Sequence, residues 1–248
     1  MPTLFVVMPV FNEPATLETS VRRACDAPLP AGWSTRVVVV DDGSDAPTLE
    51  SVRALGAAGL AEIHFHPRNR GKGAAIRTGF ARALELARDD DAILVQDADL
   101  EYDPHDYAAL VRRLDDRSLG AVFGNRWAGA ERRTGYRRMH ELANGLLTAL
   151  SNRATGLGVH DMECCYKLLR VPVLRAIRPS LSEERFGIEP QIAAALARRA
   201  VRVGEVPVAY APRSFAEGKK IRWTDGVRAL WVIARERFRG APTGGSDR

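Results

Sequence analysis

No stretch of this 248-residue chain approaches the roughly 18 to 20 consecutive apolar residues that a membrane-spanning helix needs. The longest candidates are residues 4–10 and 36–40, so no span of a bilayer is expected. The N-terminus also lacks a basic segment followed by an apolar stretch and a small-residue cleavage site, because 4–10 already reads as a strand. That absence points to a cytoplasmic protein. Cysteine is scarce: Cys25, Cys164 and Cys165 are an odd number with two adjacent. Such a set excludes a disulfide framework and leaves reduced thiols. No internal repeat occurs, and no excess of polar or apolar residues marks a disordered or fibrous chain: 46% hydrophobic and 27% charged residues are ordinary for a globular protein.

What is present is unevenly charged. The first 125 residues carry 13 Lys+Arg against 19 Asp+Glu, and the remainder 23 against 12. A basic half attracts phosphorylated small molecules, nucleic acid or an anionic membrane, and charge alone does not choose among them. Nucleic acid is the weakest of these, since no recognition motif with interleaved aromatics appears and acidic loops would repel a phosphate backbone.

The N-terminal half alternates β-rich runs (4–10, 36–40, 61–65, 92–95) with helical patterns (15–25, 48–55, 73–87). That alternation predicts an α/β fold with a mainly parallel, Rossmann-like sheet and helices on both faces. Further on, helices are expected at 141–152, 189–199 and 224–238, a strand at 203–210, and basic loops at 126–138 and 213–222. One domain over 1–239 follows, with a nucleotide-binding half to about residue 125, an acceptor-binding half from 126, and a disordered tail at 240–248.

Ligands of such sheets collect beyond the carboxyl ends of the strands, and three of those ends are polar or acidic. Asp97-Ala98-Asp99 offers two carboxylates to a hard divalent cation such as Mg2+ or Mn2+, or else two solvated loop acids. Asp41-Asp42-Gly43-Ser44 offers acceptors for ribose hydroxyls or base-edge donors, or an Asp-Gly turn with Ser44 or Asp45 capping the next helix. Asn12 and Glu13 close the first strand, where Asn12 is equally a candidate helix cap. Residues 68–73, RNRGKG, open a helix with glycine and positive charge, a plausible phosphate cradle that lacks P-loop spacing and so excludes an ATPase.

In order, VVMPVFNE, VVDDGS, NRGKGAAIRTGF, VQDADLEYDP, GNRW at 124–127, DMECCYKLLR at 161–170, RFGIEPQIA at 185–193 and EVPVAYAPRSFAEGKKIRWTDGVRALW at 205–231 resemble family 2 glycosyltransferases of the GT-A fold. The likeness is to the branch of dolichol-phosphate mannosyltransferase and related polyprenyl-phosphate sugar transferases, over about residues 3–238. It implies an inverting, metal-dependent hexosyltransferase taking a UDP- or GDP-sugar. By the same resemblance Pro9, Phe11, Glu13 and Asp42 line the nucleoside pocket, and Lys72 and Ala98 join the donor site. Asp97, Asp99 and Glu101 bind the metal, Glu101 standing where that branch has a glutamine. Arg126 contacts phosphate, and Arg213 with Lys219 or Lys220 closes over donor and acceptor phosphates.

Two acceptors remain open at this point. A polyprenyl phosphate is already ionised and would be oriented by Arg126, Arg132, Arg133 and Arg213. A soluble hydroxyl, of a small metabolite or saccharide, would need a base, for which Asp161 and Glu163 are the candidates beside an alternative role as ion-pair partners of nearby arginines. The helices carrying Leu142, Leu146, Leu147 and Leu150, and Trp223, Leu230, Trp231, Ile233 and Phe238 among arginines, either pack on the domain or lie at the inner face of the cell membrane as a peripheral contact. His64 and His66 read as structural, sharing a strand face. Of Cys164 and Cys165 one is expected to face the core. Glu189 reads as a helix start ahead of Pro190, with a sugar hydroxyl as its other possible partner.

Overall fold

The computed structural model describes residues 1–128, 135–213 and 223–239, with side chains for all of these except 135–140 and 223. Arg132, Arg133, Lys219, Lys220 and the tail 240–248 lie outside the described residues.

The chain alternates strand and helix through β1 (Thr3–Val10), α1 (Leu17–Cys25), β2 (Ser34–Asp41), α2 (Ala46–Ala57), β3 (Glu62–Phe65), α3 (Lys72–Leu86) and β4 (Ala92–Val95). It continues through α4 (Tyr107–Leu114), β5 (Ala121–Asn125), α5 (Gly135–Thr155), β6 (Lys167–Arg170), α6 (Val171–Ile177), α7 (Ile188–Arg198), β7 (Val203–Pro207) and α8 (Trp223–Phe238). The seven strands form one sheet in the order β3-β2-β1-β4-β6-β5-β7. All neighbours are parallel except β6, which runs antiparallel to both β4 and β5.

Strand composition follows burial. In β1, Leu4 to Met8 are almost wholly inaccessible, and the same holds for Ala92 to Val95 in β4, because helices cover both faces and leave no solvent side to alternate toward. α2 starts where its sequence supplies a cap: Asp45 accepts from the backbone N–H and hydroxyl of Thr48 at 3.4 and 2.9 Å, and a proline occupies its first turn. Asp45 and not Ser44 is therefore the cap.

Parallel pairing aligns the carboxyl ends that matter. Val10 lies opposite Asp41, and Val7 opposite Val95. The ladder is prolonged by Asp42 N–H on the Val10 carbonyl at 2.7 Å and Gln96 N–H on the Val7 carbonyl at 3.0 Å. Strand order reverses between β1 and β4, which makes this edge the topological switch point and the crevice where ligands of such sheets bind. The elements not anticipated from sequence are α4, β5, β6 and α6. β6 has four residues, too few to display a period, and exists because it fills the slot between β4 and β5.

Candidate active site

β4 ends in the acidic triplet. Ala98 is buried and packs inward, so that Asp97 and Asp99 flank it, while Leu100 sits at φ 62°, a left-handed conformation unusual for leucine. That turn lets Asp99 accept the Glu101 N–H at 3.1 Å. Two cations are already in place. Lys72, at the start of α3, lies 2.9 Å from Asp97 and 3.0 Å from Glu189 in α7. Arg213 reaches Glu13 at 2.9 Å and Asp99 at 3.3 Å, and its backbone N–H meets Glu101 at 3.0 Å. Burial would pull the Lys72 ammonium down, but Asp97 and Glu189 hold it well above its ordinary value. Burial, then the Asp97 and Glu101 charges, raise the Asp99 carboxyl to about 7.

Among the described residues no three His, Cys, Asp or Glu side chains converge as a metal cage. The three acids expected as metal ligands thus do not close on one point, Glu101 being engaged by Arg213. The donor set still fits a magnesium-like ion, which characteristically takes one or two carboxylates and completes its shell with substrate phosphates and water. The surplus of negative charge around Asp99 is what a cation would relieve.

Asp42 has partners other than a nucleoside. Its carboxylate accepts from His66 Nδ1 at 2.7 Å and from the backbone N–H groups of Arg70 at 3.0 Å and Gly71 at 2.7 Å. His66, one residue beyond β3, reaches Thr78 on α3 with its other nitrogen at 2.9 Å. Asp41 beside it is fully buried, and its Oδ1 has no hydrogen-bond partner among the described residues. In the loop at 68–73, expected as a phosphate cradle, Asp42 takes two of the amides, and next to it the Ala74 N–H is taken by the Glu184 carbonyl at 3.0 Å. These N–H groups are satisfied inside the protein, and the loop packs closely against residues 183–185. Gly71 marks the closeness of that contact, since at φ 104° a Cβ would lie 2.4 Å from the Glu184 oxygen. Gly71→Ala is expected to destabilise the fold by about 3 kcal/mol, read as a lower urea midpoint with an unchanged slope.

Asn12 is not a helix cap. It adopts φ 51° and ties the end of β1 to the end of β2, donating its N–H to Ser44 at 3.0 Å and accepting from Asp45 N–H at 2.8 Å. Thr16 stands at the cap position of α1 instead. Pro9, Phe11 and Glu13 are half-buried at this rim.

At the end of β5, Arg126 and Asp161 form the most enclosed ion pair of the site. Asp161 accepts from Arg126 N, Nε and Nη2 at 3.0, 2.8 and 2.8 Å and from Asn144 at 2.8 Å. Four donors fill the lone pairs of its two oxygens, and the side chain is inaccessible. Burial would raise its carboxyl, yet Arg126 and these donors hold it below the ordinary value. Asp161 therefore positions Arg126, whose guanidinium also lies over Trp127 and Tyr210 at 5.2 and 5.1 Å; no open site remains on it for an alcohol proton. Glu163, the other candidate base, is pushed up to about 8 by burial and by Glu189. Cys164 and Cys165 are both buried, not one of the two, and all three cysteines are free thiols.

The family model described as glycosyl transferase family 2 matches residues 5–178. The chain belongs to glycosyl transferase family 2. Relatives include the undecaprenyl-phosphate 4-deoxy-4-formamido-L-arabinose transferases of Salmonella typhimurium and Salmonella paratyphi B, each 30% identical over 220 residues. Those alignments cover 86% of this chain and 61% of the relatives, so the chain spans about three-fifths of their length. Among solved structures, glucosyl-3-phosphoglycerate synthase from Mycobacterium tuberculosis with Mn2+, uridine diphosphate and glucosyl-3-phosphoglycerate superposes with a TM-score of 0.66 at 21% identity, covering 95% of this chain and 80% of that one. The same enzyme with Mn2+, uridine diphosphate and phosphoglyceric acid gives 0.67 at 22%, covering 98% and 81%. These likenesses bear on architecture and place the fold in the GT-A class.

Within that fold, sequence reasoning did not single out Tyr210 or the full role of Glu189, and His66, read as structural, is the residue that holds Asp42. Glu189 does not cap its helix, whose cap position is Gly187; it partners Lys72. A glutamate just before a helical proline looks like a cap in any sequence, and only its distance to Lys72, 117 positions earlier, says otherwise.

Proposed function

We propose that the protein is an inverting glycosyltransferase that moves a sugar from a nucleoside-diphosphate sugar to a polyprenyl phosphate. The observation that carries this reading is the pair Asp97 and Asp99 at the switch point of the sheet, flanked by Lys72 and Arg213. Such a site suits a diphosphate and its cation. The nucleoside would lie toward β1 and β2, against Pro9, Phe11 and Glu13, with Asp42 holding the wall behind it. Asp97 and Asp99 would hold a Mg2+ or Mn2+ ion, which supplies charge neutralisation on the departing diphosphate. The chain's own contribution is positional: Arg126 held by Asp161 and Arg213 held by Glu13 present fixed positive charge to phosphate oxygens.

The state of the candidate bases favours a phosphate acceptor. Asp161 has no free lone pair, and Glu163 keeps its proton to about pH 8, so an acceptor oxygen that is already ionised fits better than an alcohol. The relatives named as undecaprenyl-phosphate transferases support the same choice. No described helix is long and apolar enough to cross a membrane. A lipid acceptor would instead be met at the surface of α5 and α8, where Leu142, Leu146, Trp231 and Phe238 are exposed. Much of the positive charge of α8 is directed inward: Arg228 and Arg235 bind Glu183, and Arg239 binds Glu236.

Transfer of radiolabelled sugar from a panel of UDP- and GDP-sugars, with Mg2+ or Mn2+ and with or without short-chain polyprenyl phosphate, tests the reading. Label is expected in the polyprenyl product and none after chelation by EDTA. Label appearing only on a soluble alcohol or a phosphorylated glycerate would reject the lipid acceptor while keeping the donor chemistry.

A further inference from the structure

We propose that Glu183 is a positioning residue of the donor site: it carries the grip of α8 to the backbone that seats Lys72. The inference rests on the nucleotide-sugar reading above, and it adds α8, a helix packed on α5 and α7, to the parts that govern diphosphate binding.

Lys72 joins β4 to α7, its ammonium lying 2.9 Å from Asp97 and 3.0 Å from Glu189. The residues on either side of it in sequence are glycines, and both press on the segment 183–185. A Cβ on Gly71 would stand 2.4 Å from the Glu184 carbonyl oxygen, and one on Gly73 would stand 2.6 Å from that of Glu183 and 2.8 Å from that of Arg185. Hydrogen bonds add to the contact: the Ala74 N–H meets the Glu184 carbonyl at 3.0 Å, and Arg77 meets the Ser182 carbonyl at 3.2 Å. Main chain packed on main chain leaves no flexible side chain to absorb a displacement, and close-packed interiors transmit one. Where 183–185 goes, Lys72 follows.

The side chain of Glu183 faces the other way. It is buried and accepts from Arg228 at 3.1 Å and Arg235 at 2.7 Å, both on α8. Gly187 leaves room for this carboxylate, since a Cβ there would lie 2.9 Å from Glu183 Oε2 and 2.6 Å from Val232 of α8. A second tie runs through Gln191 in α7. Its side-chain oxygen accepts the N–H groups of Ser182 and Glu183, both at 2.8 Å, and its nitrogen donates to Glu236 of α8 at 2.9 Å.

One residue therefore turns its carbonyl toward Gly73 and its carboxylate toward α8. Its chemistry suits a fixed link. Contacts between arginine and carboxylate are charge-assisted and directional, and a buried carboxylate stripped of its cations is strongly destabilising, so segment and helix move together. Glu183 acts on the diphosphate through Lys72 and not by touching it. A bond that merely stabilised the fold would support every ligand alike. A positioning bond is felt by the part of the ligand that Lys72 meets, the diphosphate beside Asp97.

Equilibrium binding to the full chain in Mn2+ separates the two. UDP and GDP are compared with UMP and GMP, which keep the nucleoside and lack the outer phosphate. Glu183→Gln removes the charge and keeps the shape. It is expected to weaken the diphosphates about tenfold, on the scale of a lost charge-assisted hydrogen bond, while the monophosphates stay within about twofold and certify the fold. Arg235→Met cuts the same link from α8 and is expected to give the same selective loss. In a Lys72→Met background, Glu183→Gln should change diphosphate affinity no further, because residues that act through one another are not additive. Arg198→Met is the control. It breaks the pair with Glu236 at 2.8 Å, loosening α8 from the last turn of α7, and is expected to lower Tm while leaving diphosphate affinity within about twofold, as for an independent site.

Equal weakening of monophosphates and diphosphates, or no weakening of either, would overturn the positioning role of Glu183 while leaving the donor site intact. Full additivity with Lys72→Met would do the same, as would an equal selective loss in Arg198→Met. Failure of the unmodified chain to bind any nucleoside diphosphate would instead overturn the transferase reading, and this inference with it.

Discussion

Asp99→Asn is expected to lower sugar transfer by about 100- to 1,000-fold, the scale on which preorganised charge at a departing group contributes to rate. The loss should appear in kcat with either Mg2+ or Mn2+. Stability should not follow it. Asp99 stands with Asp97 and Glu101 on one edge, and burial together with these like charges raises its carboxyl to about 7; a neutral amide there removes repulsion, and Arg213 keeps Glu13 as partner. A thermal melt equal to or slightly above that of the unmodified chain, with activity almost gone, is the expected pair of results. Full turnover by the variant would dismiss Asp99 from the reaction.

Asp161→Asn is expected to be costly in a different way. It leaves Arg126, whose side chain is 12% exposed, without its counter-charge in the interior. Removing one member of a buried ion pair typically costs about 3–5 kcal/mol, which for a chain of this size lowers Tm by roughly 10 °C. Transfer to lipid phosphate and to any hydroxyl acceptor should fall alike, because Arg126 loses its position; a selective loss with hydroxyl acceptors would restore Asp161 as a base. Replacing both residues by leucine is expected to recover most of the stability and none of the activity. The pH dependence carries the same signature. The folded Asp161 carboxyl lies below its ordinary value of 3.8, so its contribution is complete above that value and is lost as pH falls through the lower, folded one. Chemical denaturation at pH 6 and well below pH 3.8 should therefore show a smaller decline for the double variant than for the unmodified chain.

The two residues differ in how far their roles could be read from sequence. Asp99 follows a buried apolar strand in a chain that alternates strand and helix, and parallel sheets bring such strand ends to one edge whatever the details. Asp161 stands in the loop between α5 and β6 with no such rule to place it. Its acidity made it a candidate base; its four hydrogen bonds make it the holder of Arg126. Asp42 is a similar case, for a DDGS segment looks the same whether the second carboxylate faces a ligand or ties down a loop. Here His66 and two amides of the loop at 68–73 take it.

What the sequence by itself determined is the part governed by local periodicity and chain order. It set the alternating elements from β1 to β4, the parallel edge they create, the acids on that edge, and membership of a family legible in eight short motifs. Tertiary structure alone decided where β6 would be inserted and which carboxylates are satisfied by the protein. It also brought Lys72 between Asp97 and Glu189, and Arg213 against Glu13, 200 positions away. The division has a physical cause. Secondary structure and strand-end position depend on neighbours a few residues apart, whereas the function of a charged side chain depends on its burial and on which charges come within about 4 Å, and these are fixed only when distant segments pack.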